Sequence, residues 1–142
     1  MSEHVVTVRP RYGEVDSMGV VYHARYLEYF DVGRTEWMRA AGLPYAGLEQ
    51  RGFRLAVVDV GVRYLRGARY DQPLRLHTRV AEVGGATVTF TYELRAGDDV
   101  LATGHTRLGC LDTSNRPARL PPDARAALAR GMSASLPPSE TP

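Results

Sequence analysis

The chain has 142 residues, 44% of them hydrophobic and 24% charged, which fits one globular domain with a core of its own. Eighteen basic residues against sixteen acidic leave a formal charge of +2, and the two signs are interspersed, which argues against a general nucleic-acid footprint. No apolar run approaches about 20 residues, and the opening MSEHVVTVRP has no basic segment leading into an apolar one, so a soluble, cytoplasmic protein without a membrane span is expected.

All eighteen basic residues are arginine, each a planar, always-charged fork suited to phosphate groups. The single cysteine, Cys110, excludes an internal disulfide. It stands in the alternating run VLATGHTRLGCLD, where a small buried hydrophobe is expected, and buried thiols are usually inert.

In chain order, HVVTVR at 4–9 alternates and reads as a first strand, closed by Pro10, which cannot donate to a central ladder. From Tyr22 the large apolar residues fall at Tyr22, Tyr26, Tyr29, Phe30, Gly33 and Trp37. These spacings of three and four trace one helical face, with Arg25, Glu28, Asp31, Arg34, Glu36 and Arg39 on the other. Gly42, Leu43 and Pro44 stop that helix. A short connection, YAGLEQRG, follows. Four strand-like runs come next: LAVVDVGVRYL, PLRLHTRVAEV, ATVTFTYELRA and DVLATGHTRLGCLD. Gly84-Gly85 and Gly97-Asp98 mark tight hairpins between the last three. Val88, Phe90, Tyr92 and Leu94 alternate with Thr87, Thr89, Thr91 and Glu93, the pattern of a sheet with one face on a core. After Pro121-Pro122, DARAALAR reads as a short helix, and the Ser/Pro-rich tail beyond Gly131 as disordered. The order is α+β: a curved antiparallel sheet wrapped around one long central helix, with sheet edges that a second copy would cover.

The segment Glu14 to Phe30, EVDSMGVVYHARYLEYF, joins an acid, a glycine corner and a histidine to the start of that helix. The first amides of a helix have no intrahelical acceptor, and together with the dipole they stabilise negative charge such as a developing oxyanion. Asp16, just ahead, can reach the same space to attack a carbonyl carbon or hold a water that does.

The stretch YGEVDSMGVVYHARYLEYFDVGRTEWM resembles the active-site segment of the hotdog-fold acyl-CoA thioesterases, in particular the 4-hydroxybenzoyl-CoA thioesterase-like group and its YbgC-type branch. The matching elements are Tyr12, Asp16, Gly19, Val20-Val21-Tyr22-His23, Tyr26 and Arg34. The strand order agrees more loosely over 4–115. The resemblance implies a hotdog domain over 1–120, followed by the short helix at 121–131 and the tail at 132–142.

It also implies a thioester hydrolase that cleaves an acyl-CoA, or an acyl-carrier-protein thioester, to free acid and thiol. Asp16 is then nucleophile or general base, and the backbone amide at position 23 polarises the carbonyl. His23 would assist as an acid or orient water, and Tyr12 would line the pocket. Gly19, Val21, Tyr22 and Tyr26 are the substrate-binding residues expected along the motif. Arg63, Arg66, Arg69 and Arg75 flank one strand connection and read mainly as a solvated face, with one or two, Arg66 and Arg69 first, expected to meet the coenzyme A phosphates. The family often has a proline where this chain has Gly67. No metal and no bound cofactor is required, because coenzyme A is part of the substrate. A homo-oligomer, dimer or homotetramer, is the expected assembly. A 3-hydroxyacyl-thioester dehydratase and a non-catalytic acyl-CoA binder are the alternatives. The placement of Asp16 and Gly19 ahead of the helix favours hydrolysis over the first. The second would call for an effector module, for which the length leaves no room.

Other polar residues have plainer expectations. Glu14 reads as structural or solvated. Asp59, a lone acid in LAVVDVGV, reads as an interface or pocket-rim residue. His77 and His105 lack a third ligand at useful spacing for zinc.

Overall fold

The computed structural model describes residues 3–133. Strand β1 runs Glu3–Val8, a single 3-10 turn covers Tyr12–Glu14, and helix α1 covers Arg25–Ala40. Helix α2 spans Tyr45–Gln50, and strands β2 (Arg54–Tyr64), β3 (Leu74–Val83), β4 (Thr87–Ala96) and β5 (Asp99–Leu111) lead to helix α3, Pro122–Ser133. The strands form one antiparallel sheet in the order β1-β3-β4-β5-β2, so β2 lies at an edge although it precedes three of its companions in sequence.

The alternation in β4 is realised as a strict in-out pattern, with Val88, Phe90, Tyr92 and Leu94 buried. Helix α1 lays Tyr26, Tyr29, Phe30, Gly33, Trp37 and Met38 into the core. Phe30 stacks on Tyr92 with ring centroids 4.3 Å apart, and Trp37 meets Phe90 edge-on at 5.8 Å. Each such large side chain, fully buried, contributes about 1.5–3 kcal/mol from water exclusion. The helix comes so close to β5 that a Cβ at Gly104 would lie 2.4 Å from the Phe30 ring and 2.8 Å from the Gly61 carbonyl oxygen.

The C-terminus of α1 is a Schellman cap. Gly42 takes φ +79°, Leu43 N–H donates to Met38 O at 2.8 Å and Gly42 N–H to Arg39 O at 3.1 Å. Ladder shifts at Val57/Asp59, Val80/Glu82 and Leu94/Arg95 insert bulges, which bend strands and increase their twist.

Three boundaries differ from expectation. Tyr22 lies ahead of α1, exposed, because Val21 is held in an isolated bridge to Val15 that delays the helix to Arg25. The connection after Pro44 contains helix α2, which buries Leu48. Helix α3 extends to Ser133 on a face of Ala124, Ala127 and Leu128. Of the tail expected at 132–142, residues 134–142 lie outside the described residues.

Candidate functional site

The segment from Tyr12 to Ala24 folds back on itself ahead of α1. Val15 bridges Val21, Asp16 N–H donates to Val20 O at 2.9 Å, and Gly19 N–H donates to Asp16 O at 3.0 Å. Gly19 takes φ +80°, a conformation other residues adopt at a cost. The Asp16 side chain closes an Asx-type turn, its Oδ1 accepting the Met18 N–H at 2.9 Å. The returning arm is tied twice: Val21 N–H donates to Ala68 O and Tyr22 N–H to Glu14 O, each at 2.8 Å.

At the mouth of α1, Arg25 N–H donates to Tyr22 O, and Ala24 supplies no side-chain cap. The amides of His23 and Ala24 find no acceptor among the described residues. These are donors of the kind that the positive end of a helix dipole directs at anions.

A cleft of about 310 Å³ opens at this mouth, lined by Asp16, Val20, Val21, His23 and Tyr26 from the motif and by Tyr64, Leu65, Arg66 and Gly67 from the end of β2 and beyond. Tyr64 donates its hydroxyl to the His23 carbonyl at 2.8 Å and sets its ring edge-on to Tyr26 at 5.0 Å. Burial pushes the Tyr64 phenol above its ordinary value, so it stays a protonated donor. Tyr26 in turn accepts the Ala68 N–H at 3.0 Å. The chain passes Val20 so closely at Gly67 that a Cβ there would lie 2.5 Å from Val20 Cγ1, which explains a glycine at this position.

Of the residues singled out from the sequence, Asp16, His23, Val21, Tyr26 and Arg66 are brought together around this cleft. Tyr12, 78% exposed, stands edge-on to Tyr70 at 5.7 Å and does not line it. Gly19 shapes the loop without lining the cleft, and Tyr22 lies over the His23 ring at 4.4 Å. Arg66 pairs with Asp99 at 3.3 Å, whereas Arg69 lies outside the cleft, its N–H on Gln72. Sequence reasoning missed Tyr64, whose only signal was a tyrosine ending an alternating strand. Of the two expectations for Glu14, structural or solvated, its burial selects the first.

A larger cleft of about 630 Å³ lies on the polar face of the sheet, where the residues alternating with the core project. Its acids face bases: Glu3 meets His77 at 3.2 Å and Arg79 at 2.8 Å, and Glu93 pairs with Arg95. Beside it, Asp59 pairs with His105 at 2.8 Å. Its carboxylates are thus engaged, whereas the smaller cleft is lined by Asp16 and by His23, whose amide has no acceptor among the described residues. Cys110 is buried, its thiol pushed up by burial.

Four similarities to known proteins bear on this geometry. The family profile of the thioesterase-like superfamily matches residues 10–128. An acyl-CoA thioesterase, YbgC of Haemophilus influenzae, is 34% identical over 122 residues, covering 84% of this chain and 90% of that protein. The crystal structure of a DHNA-CoA thioesterase from Staphylococcus aureus matches with a TM-score of 0.89 at 28% identity, covering 94% of this chain and 93% of that one. A hypothetical protein from Thermus thermophilus matches with a TM-score of 0.87 at 35% identity, covering 92% and 98%.

Proposed function

Because the chain belongs to the thioesterase-like superfamily, and is a thioester hydrolase with the α+β hotdog fold, we propose that it cleaves acyl-CoA thioesters in the Asp16 cleft. The observation that carries this reading is the shared cleft of Asp16 and the His23 turn, whose amides have no acceptor among the described residues. In this account α1 is the central helix about which the sheet curves.

The chemistry follows from that arrangement. The thioester carbonyl oxygen sits on the amide at position 23, and negative charge developing there is stabilised by the N–H and by the dipole of α1. Asp16 acts in one of two ways. As a nucleophile it bonds to the carbonyl carbon, the carbon–sulfur bond breaks, the thiolate leaves and takes a proton, and water hydrolyses the resulting anhydride. As a general base it takes a proton from a water that bonds to the same carbon, after which the carbon–sulfur bond breaks and the leaving thiolate takes that proton. Either route ends in free acid and coenzyme A. The His23 ring, exposed beside the cleft, orients that water or supplies the proton. General-base and oxyanion contributions are each on the order of a hundredfold or more.

Arg66 at the rim, with Arg69 nearby in sequence, meets the phosphates of the nucleotide through charge-assisted bonds. No metal or resident cofactor enters the scheme. The working unit is a homo-oligomer in the cytoplasm. Strand β2 pairs only with β5 among the described residues and leaves Val57, Val58 and Val60 exposed on an open edge that a second copy would cover. The test is free-thiol release from a panel of short, long and aromatic acyl-CoAs by the wild-type protein. Release from at least one supports the reading, and silence across the panel and across carrier-protein thioesters would overturn it.

A further inference from the structure

Glu14 is the one charged side chain buried among the described residues, 7% exposed, and it is absent from the cleft lining. Its Oε1 accepts the Arg11 N–H at 2.8 Å and the Tyr29 hydroxyl at 3.0 Å, and Oε2 faces Arg11 Nη2 at 3.4 Å. Its backbone carbonyl accepts the Tyr22 N–H at 2.8 Å. One residue therefore ties together the 3-10 turn, the returning arm of the loop and the first turns of α1. Every partner is a donor, so the anionic carboxylate fits the site in a way a neutral amide, half donor itself, does not.

Asp16 lies two residues beyond this knot. A second strut joins the same loop to the same helix: Val21 N–H donates to Ala68 O, and Ala68 N–H donates to the Tyr26 hydroxyl. Tyr26 and Tyr29, three apart on one helical face, thus brace the two arms of the hairpin that carries Asp16. On the Asp16 arm, the direct tie to α1 among the described residues is the Tyr29–Glu14 bond, and the arm is otherwise held across the hairpin by the Asp16 N–H on Val20 O.

We infer that Glu14 is a positioning residue: its buried carboxylate, held by Tyr29 and the Arg11 amide, fixes the distance between the Asp16 carboxylate and the amides at the mouth of α1. This rests on the reading of Asp16 given above. A loop acid freed from its brace samples positions about 1 Å away, and misplacement of that size can cost on the order of a hundredfold in rate.

The experiment compares kcat, KM and melting temperature for Glu14→Gln, Tyr29→Phe, Asp16→Asn and the double variant Asp16→Asn/Glu14→Gln, using the acyl-CoA best cleaved by wild type. Positioning requires Glu14→Gln to lower kcat roughly tenfold to a hundredfold with KM little changed, and Tyr29→Phe to lower it in the same sense but less. It also requires Glu14→Gln to cost nothing further once Asp16 is already Asn, because the two act as a unit. Glu14→Asp, one methylene shorter, should not restore the rate. A lowered melting temperature with unchanged kcat per folded enzyme would overturn the inference, as would a raised KM alone. If Glu14→Gln does not fold, Tyr29→Phe decides by the same criterion. Full activity in Asp16→Asn would remove Asp16 from the mechanism and the positioning role with it, an outcome visible in that arm alone.

Discussion

Two carboxylates two positions apart have unlike surroundings: the Glu14 oxygens meet donors on Arg11 and Tyr29, while Asp16 gives one oxygen to the Met18 amide and lines the cleft. Burial alone would raise the Glu14 pKa, but the Arg11 amide, the Tyr29 hydroxyl and the Arg11 charge together bring it below the usual carboxylate range. A carboxyl depressed in the folded state contributes stability that is complete above its unfolded value and is lost as pH falls through the folded value. The melting temperature of the wild type should therefore drop as pH is lowered from about 5 to about 3, and Glu14→Gln should flatten that drop. An unchanged slope in the variant would mean that Glu14 contributes no such linkage. His23 acts mainly through its backbone in this account, so His23→Ala should cost less turnover than Asp16→Asn, and an equal loss would make the imidazole essential. Cys110 should react with a chromogenic disulfide reagent only after denaturation, leaving a thiol-release assay undisturbed, since it is 1% exposed and its thiol is pushed up by burial.

The elements that the sequence disclosed best are those with a long, regular signal. The four later strands fall within a residue of their apolar runs, because β3, β4 and β5 each set buried residues on one face and each of the four has a glycine or proline near a boundary, although β2 buries no residue fully. The end of α1 was visible for the same kind of reason, a glycine in a left-handed conformation followed by the capping bond of Leu43. Its start was not, since Tyr22 keeps the helical spacing while the Val15–Val21 bridge and the Ala68 bond hold the chain extended. Six residues of α2 are too few for a periodic pattern to stand out. Tyr64 was missed because its place beside His23 depends on a contact 41 positions away. Gly104→Ala should destabilise by roughly 1–3 kcal/mol, because the new methyl meets both the Phe30 ring and a backbone carbonyl. Thermal denaturation would check this, and an unaltered melting temperature would mean that α1 packs less tightly on β5 than described.

For the molecule as a whole, the position of β2 links the proposed assembly to the proposed chemistry. It is an edge strand with exposed valines, and its last residue, Tyr64, donates to the carbonyl of His23, which lines the cleft with Asp16. A second copy on that edge would steady Tyr64 and complete the wall of the cleft. Val58→Glu, which places a charge on the exposed edge, should shift the protein toward monomer in light scattering and lower its turnover together. A variant that stays oligomeric at full activity would place the interface elsewhere. The proposed hydrolysis depends on Asp16, and its most direct test is steady-state thiol release by Asp16→Asn beside wild type on the same acyl-CoA. The substitution keeps an oxygen for the Met18 amide and removes the charge. A fall in kcat/KM of about a hundredfold or more at an unchanged melting temperature is the expected result. Turnover equal to wild type would contradict the central claim.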